Sequence, residues 1–387
     1  MSATQLAYQV TKYANRSGWT HRDLLRLSHA KSSNPEIQGI FRYITKGDAS
    51  EAGEYIQAVE AAKVATDVKD IVRLIVDYNL PRECIPTQFL KEKAVWDALL
   101  MAGKGMPLTA LIRNLATMSR VGLLVPMSVA SRIVSERLQN AELLRKARIH
   151  PIQALSALKV YRAGGKNTGY GYTLSKSKGG EFTPVQNVTI ALEQAFYKSF
   201  DNVEPSGKKT MLALDVSGSM DGGSIAGVPG LTPRQAAAAM AMVTVRSEWS
   251  QGQIKVPLFE TMAFDTTFVP FPMGPMDSLD AVEKRMQKMN FGGTDCALPM
   301  THALKHKLDI DTFIIYTDNE TYFGRVHPSE ALNQYRRAFN KDAKLVVVGL
   351  TATDFSIASP QDAGMLDVVG MDSATPSIIT AFSKGEV

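Results

Sequence analysis

At 387 residues the chain is long enough for two domains, each with its own core. Hydrophobic residues make up 45% and charged residues 21%, a globular balance, and no apolar run approaches the roughly 20 residues of a membrane-spanning helix. Only Cys84 and Cys296 occur, without CxxC spacing, which argues against a disulfide framework or zinc site; "MSATQLAYQV" lacks the leader and apolar core of a secretory signal, so a reducing cytoplasm is expected.

Net charge is +5, but it is unevenly spread. Residues 1–200 carry 27 basic against 16 acidic side chains, and residues 201–387 carry 16 against 22. Residues 101–200 alone hold 14 against 4. A basic domain facing a polyanion, joined to an acidic domain with another task, fits this asymmetry; a Lys-rich solvated surface fits it too.

Near the start of the chain stands "VTKYANRSGWTHRDLLRLSHAK", residues 10–31. Lys12 and Arg16 are four apart and would share one face of a helix. Thr20 and Asp23 form a T-x-x-D start for the next helix, on which Arg22, Arg26 and His29 fall at i, i+4 and i+7 while Leu24 and Leu27 point elsewhere. Two adjacent helices would thus present five nitrogen-bearing side chains to one anionic partner. A solvated helical face gives the same spacing.

Helix follows helix to about residue 200. "DVKDIVRLIVDYNLP" sets Val68, Ile71, Leu74 and Ile75 at helical spacing and stops at Pro81. "TQFLKEKAVWDALLMAGKGMP" repeats the pattern with Leu90, Val95, Trp96, Leu99 and Leu100, and three further amphipathic stretches reach Gly164. Stacked helical pairs are expected. "AGGKNTGYGYTLSKSKGGEFTP", residues 163–184, is too glycine-rich for a helix and predicts a mobile basic loop in which Tyr170 or Tyr172 could stack on bases. One more helix leads to a linker with Pro205, Ser206 and Gly207, dividing the chain into an α-helical domain, 1–205, and a second domain, 206–387.

After the linker, strand-length apolar runs alternate with helical stretches: "TMLALDV", "VPLFETMAF", "DTFIIYT" and "AKLVVVGL" with helices between them. This predicts a doubly wound α/β domain with a parallel sheet. Ligands of such sheets collect beyond the strand C-termini. "LALDVSGSM" puts Asp215, Ser217 and Ser219 there; "GGTDCALPM" adds Thr294 and "FIIYTDNE" adds Asp318. Two carboxylates and three hydroxyls, with no His or Cys, suit a hard divalent cation such as Mg²⁺ that accepts an outside oxygen as its last ligand. A phosphoaspartyl hydrolase would want an Asp at 217, and a serine hydrolase would want GxSxG with a His; neither arrangement is present.

The three fragments resemble the metal-ion-dependent adhesion site of von Willebrand factor A domains. That resemblance implies Ser217, Ser219 and Thr294 as direct metal ligands, with Asp215 and Asp318 acting mainly through water or as supporting partners. More of the chain is similar to the Ro ribonucleoproteins with their TROVE module: "GWTHRDLLRLSH", "MPLTALIRNL", "LLRKARIHP", "GGTDCALPM", "TDNETYFGRVHP" and "DAGMLD". The resemblance implies a HEAT-like helical ring closed by the von Willebrand-type domain. It further implies an outer surface for small Y-like non-coding RNA, to which Lys12, Arg16 and His29 match, and a central hole for single-stranded 3′ ends of misfolded RNA. Arg22 and Arg26 are added from spacing alone. The family's helical module is longer at its N-terminus than this chain, which begins just before "VTKY", so a shortened form and a separate chain supplying the missing repeats both stay open.

The expectation is therefore a non-catalytic RNA-binding protein with a Mg²⁺ site, acting in RNA quality control or processing beside an exonuclease or another RNA-processing protein, with no DNA or membrane partner. The alternative is a protein-interaction scaffold whose metal grips a partner carboxylate.

Overall fold

The computed structural model describes residues 1–103, 105–165, 180–223, 225, 228, 230–250, 259–264, 267–289, 292–318, 324–351, 357–371 and 374–387; the side chains of 16, 250, 259–261 and 263 are not described. Tyr170 and Tyr172, with the basic loop around them, lie outside these residues. The chain divides into two compact units, Met1–Ile133 and Val134–Val387.

The first unit holds α1 (Ala3–Lys12), a two-stranded hairpin β1 (Asn15–Arg16) and β2 (Trp19–Thr20), then α2 (His21–Ser28), α3 (Pro35–Lys46), α4 (Gly53–Val64), α5 (Val68–Tyr78), α6 (Lys93–Met101) and α7 (Leu108–Arg120). Local chemistry starts and stops these helices. Ser2 and Gln5 form a reciprocal cap on α1, Asn34 and Pro35 open α3, and Asp67 caps α5. α5 ends at Asn79 in the left-handed conformation, before Pro81. Of the predicted apolar positions, Ile71 and Ile75 from α5 and Val95, Trp96, Leu99 and Leu100 from α6 are buried, while Val68, Leu74 and Leu90 are half-buried. The indole of Trp96 donates to the Leu90 carbonyl at 2.8 Å, so the buried N–H has a partner. Gly39 allows α3 its close approach, since a Cβ there would stand 1.8 Å from the Glu51 carbonyl oxygen. α4 packs on α1 and α5, and α5 on α6.

α8 (Val129–Gln139) spans the boundary between the units. The second unit continues with α9 (Ala141–Lys146), α10 (Pro151–Arg162) and α11 (Gln186–Lys198), then β3 (Thr210–Asp215), α12 (Pro233–Ser250), β4 (Phe259–Phe264), β5 (Phe268–Pro270), α13 (Leu279–Gln287), α14 (Leu298–His306), β6 (Thr312–Thr317), α15 (Pro328–Ala338), β7 (Lys344–Gly349), β8 (Met365–Val369) and α16 (Thr375–Lys384). The sheet order is β5-β4-β3-β6-β7-β8, parallel except for β5 at one edge. β3 and β6 are buried at every position, as strands covered on both faces must be. Met211, Ala213, Phe313, Ile315, Leu345 and Val347 face one core with α14 and α15; Ile314 and Tyr316 face the other side with α12 and α16. The α-helical start and the parallel α/β domain stand as expected.

β5 and β8 escaped the sequence pattern. β5 is three residues long and ends in Pro270, and β8 is largely half-exposed, so neither shows a buried apolar run. The compact units part at 133/134, whereas the composition break lies at 205/206, because α10 packs on both α11 and α12. Arg246 of α12 lies over the rings of Tyr197 and Phe200 at 4.8 and 4.7 Å. Glu248 of α12, buried, accepts from Ser206 N and Oγ at 2.6 Å and from Gly207 N at 3.1 Å, pinning the linker to the α/β core.

Candidate functional site

β3 and β6 are neighbours in the sheet, so their C-terminal ends meet. Asp215 closes β3 and is fully buried. Its Oδ1 accepts from Ser217 N at 2.8 Å and its Oδ2 from Thr317 Oγ1 at 2.7 Å. Burial pushes its carboxyl up to about 6; the hydrogen bonds from Ser217 and Thr317 oppose that shift and the charge of Asp318 adds to it. Ser217 Oγ lies 3.1 Å from Ser219 Oγ. Asp318, directly after β6, is buried; its carbonyl accepts from Thr351 Oγ1 at 2.6 Å, while its Oδ1 has no hydrogen-bond partner among the described residues.

Thr294 is buried in the loop that opens α14. That loop reaches the one after β6: Gly324, at φ 113°, comes so close that a Cβ would stand 2.7 Å from Asp295 Oδ1. Asp215, Ser217, Ser219 and Asp318 thus gather at one sheet edge, and the Thr294 loop abuts the loop that follows Asp318. A buried carboxylate oxygen without a partner is costly unless something positive meets it. That oxygen, with hydroxyls beside it, fits a hard cation held through oxygen.

Two residues escaped the sequence reading. Thr317 stands beside Asp318 in "YTDNE", and its position as the last residue of the strand was the available signal. Arg234, in the Ala-rich start of α12, gave none. Its guanidinium is 1% exposed. Nε and Nη2 donate to the two Asp221 oxygens at 2.6 and 3.0 Å, Nη2 to the carbonyls of Ser217 and Val216 at 3.2 and 3.4 Å, and Nη1 to the Met286 carbonyl at 3.4 Å. It holds the backbone of the Asp215–Ser219 loop from beneath.

The cationic residues of the first unit are arranged differently from the two-helix expectation. α1 ends at Lys12, and Arg16 lies in β1, so the two do not share a helix face. The cause is the Ser17–Gly18 turn, with φ 52° and 81°, which folds residues 15–20 into a hairpin. Arg22 and Arg26 keep their helical relation on α2, but His29 is the left-handed C-cap, which ends the proposed stripe one residue past the helix. α2 buries no residue, so Leu24 and Leu27 are exposed too. The Thr20–Asp23 cap is present as read: Thr20 Oγ1 donates to Asp23 at 2.6 Å and Thr20 N at 3.0 Å, and these bonds hold the Asp23 carboxyl below the usual range.

Lys12 donates to Tyr8 OH at 2.8 Å and lies 5.0 and 5.2 Å from the Tyr8 and Tyr13 ring centres. Burial opposes its charge, but the bond to Tyr8 and the interactions with both tyrosines raise its pKa on balance. Among the described residues Lys12, Arg22, Arg26 and His29 form no salt bridge. A cleft of about 940 Å³ beside them is lined by Thr20, His21, Arg22, Lys46 and Lys63, among others.

The sequence matches two family models: TROVE domain over residues 2–75 and 72–169, and Ro60 vWA domain over 209–383. The chain is 42% identical over 388 residues to "RNA-binding protein RO60" of Deinococcus radiodurans, covering 99% of this chain and 69% of that protein. It is 36% identical over 432 residues to the Caenorhabditis elegans protein of the same name, covering 99% of this chain and 64% of that one. The crystal structure of Deinococcus radiodurans RO (RSR) protein superposes with a TM-score of 0.84 at 41% identity, over 100% of this chain and 75% of that one. With this identity sustained along nearly its whole length, the chain belongs to the Ro60 family.

Proposed function

We propose that the protein binds RNA without catalysis, holding a small structured, Y-like non-coding RNA on the cationic surface of residues 12–31 and carrying Mg²⁺ at the β3–β6 edge. One observation carries this reading: Lys12, Arg22, Arg26 and His29 are spent on no salt bridge among the described residues, in a chain whose relatives are named RNA-binding proteins. Residues 12–31 hold five Lys or Arg against a single acid, Asp23, which is engaged in capping α2. Such a surface reads phosphates and gives a steep salt dependence.

Single-stranded 3′ ends of misfolded RNA are the second RNA class of this proposal, and quality control or processing beside an exonuclease is the setting. Free, buried Cys84 and Cys296 suit a reducing cytoplasm, and no described helix is long and apolar enough to cross a membrane. Ser217, Ser219 and Thr294 would hold Mg²⁺ with Asp215 and Asp318 in support; the ion would supply a positive charge with room for an outside oxygen. The orphaned Asp318 oxygen also favours a second reading, a scaffold whose metal grips a partner carboxylate.

The test is a gel shift with a Y-like stem–loop RNA. Lys12→Ala with Arg16→Ala lowers affinity and leaves Mg²⁺ binding intact. Unchanged affinity removes the assignment and leaves the scaffold. Labelled RNA that shortens with Mg²⁺ would overturn the non-catalytic part.

A further inference from the structure

Trp19 is 62% exposed, whereas Trp96 is 1% exposed in the helical core. A purpose-shaped turn presents it. Ser17 and Gly18 adopt positive φ, and the hairpin register pairs position 19 with position 16. The indole therefore stands at the start of α2, ahead of the Thr20 cap, with Leu24 at 59% and Leu27 at 69% exposure beyond it.

Position 19 precedes the N-cap and position 24 is four residues into the helix, the two places a hydrophobic staple joins. A staple explains an apolar residue at 19, but both partners remain mostly exposed, so the indole face is not used up. Its surroundings say what would cover it. Residues 12–31 contribute Lys12, Arg16, Arg22, Arg26 and Lys31 against Asp23 alone. The residues that follow it, Thr20, His21 and Arg22, line the 940 Å³ cleft, which also carries Lys46, Lys63 in its ion pair with Glu60, and Glu83. In that cleft His21 Nε2 is buried without a hydrogen-bond partner among the described residues. A flat aromatic among cations, beside a cleft with an unused imidazole nitrogen, matches a nucleotide: a base on the indole, its phosphates on the cations.

We propose that Trp19 is a stacking platform for one unpaired RNA base next to the phosphate-binding cations. This rests on the RNA-binding reading and adds a selectivity to it. Stacking needs a free base face, so the platform discriminates an unpaired or bulged nucleotide from a continuous duplex, with little regard to base identity.

The experiment compares wild type, Trp19→Leu and Trp19→Phe on a perfect RNA hairpin and on the same hairpin with a bulged nucleotide, alongside thermal melts. Trp19→Leu keeps an apolar side chain for the staple and loses the aromatic face. Its expected effect is a loss of about ten- to a hundredfold in affinity for the bulged RNA, with the perfect hairpin and melting temperature unchanged; Trp19→Phe recovers most of it. In a Trp249→Phe background, bulged RNA also quenches the remaining exposed indole. Wild-type affinity of Trp19→Leu for the bulged RNA overturns the proposal. So does an equal loss on both RNAs with a lower melting temperature, which assigns Trp19 to the staple. A concentration-dependent dimer abolished by Trp19→Leu without change in RNA affinity overturns it in favour of a second copy as occupant. If Lys12→Ala with Arg16→Ala leaves affinity intact, the RNA-binding reading itself fails; if that variant loses affinity and Trp19→Leu does not, stacking alone fails.

Discussion

Replacing Arg234 with methionine, of similar volume, tests whether one buried cation holds the candidate metal loop. The arginine sits at the start of α12, where the helix dipole opposes a positive charge. Its placement is thus supported by its acceptors. Three are backbone carbonyls, of Val216, Ser217 and Met286, and removing their donor costs about 1 kcal/mol each. The paired contact with Asp221 is discounted to about 1 kcal/mol because that carboxylate is 47% exposed and can return to water. Together the loss is about 4 kcal/mol, within the range for breaking a buried charge network.

For a unit of this size that corresponds to roughly 10 °C in melting temperature, read by circular dichroism. A second effect separates the loop from the core. Val216 and Ser217 lie between Asp215 and Ser219, so slackening their carbonyls loosens the ligand geometry. Mg²⁺ affinity, measured by calorimetry on the folded variant below its transition, falls about tenfold, or 1.4 kcal/mol. A melt within 2 °C of wild type, about 1 kcal/mol or less, refutes the stability argument; unchanged Mg²⁺ affinity in a destabilised variant refutes the loop argument.

Four other perturbations test the remaining contacts. Glu248→Ala strands Ser206 N, Ser206 Oγ and Gly207 N and costs about 3 kcal/mol, visible as a lower melting temperature; no change would mean water replaces the carboxylate. Mg²⁺ at a hundred times its dissociation constant adds about 2.7 kcal/mol to the second unit, reversed by EDTA. Asp318→Asn abolishes that gain without lowering the metal-free melt, because Oδ1 has no hydrogen-bond partner among the described residues to lose; a metal-free melt that drops contradicts this. The stem–loop RNA affinity of wild type falls with log salt at a slope of about −4.5 if the five cations of residues 12–31 each meet a phosphate, and Lys12→Ala with Arg16→Ala flattens it by about 1.8; a flat wild-type slope denies phosphate contact altogether.

What the sequence made legible was what neighbouring residues decide between themselves. β3 and β6 read as strands because each carries an unbroken run, 211–214 and 313–316, of buried nonpolar and aromatic residues, and Asp215 and Ser217 stood out because they end such a run. The Thr20–Asp23 cap was readable because its partners are three residues apart. The Ser17–Gly18 turn was lost because its strands are two residues long, too short to show an alternation against the helices on either side. Arg234 was unreadable for the opposite reason: its partners lie at 216, 217, 221 and 286, and only the folded chain brings them together. The boundary between units was hidden likewise, since the glycine and proline near 205 mark a change of composition while the packing of α10 on α12 runs across it.

That packing also changes what the charge asymmetry means. Counted by compact unit, residues 1–133 carry 17 basic against 12 acidic side chains, whereas residues 134–387 carry 26 of each. Part of the basic excess of residues 134–200 is therefore answered inside its own unit. Arg162 pairs with Glu193 at 2.8 Å, and Gln235 bridges Lys159 and Glu283. Glu283 is pushed up by burial and drawn back by Lys159 and Arg162, as a carboxylate facing those cations must be. With a screening length of about 8 Å in physiological salt, a neutral unit adds little long-range attraction for a polyanion. Lys12, Arg22 and Arg26 differ in kind from the cations around α10, which were the more numerous in the composition. Within residues 12–31 they are opposed by one acid, and that acid is already bonded to Thr20. The density of basic residues along the chain thus pointed at residues 101–200, while among the described residues Lys12, Arg22 and Arg26 are cations that form no salt bridge.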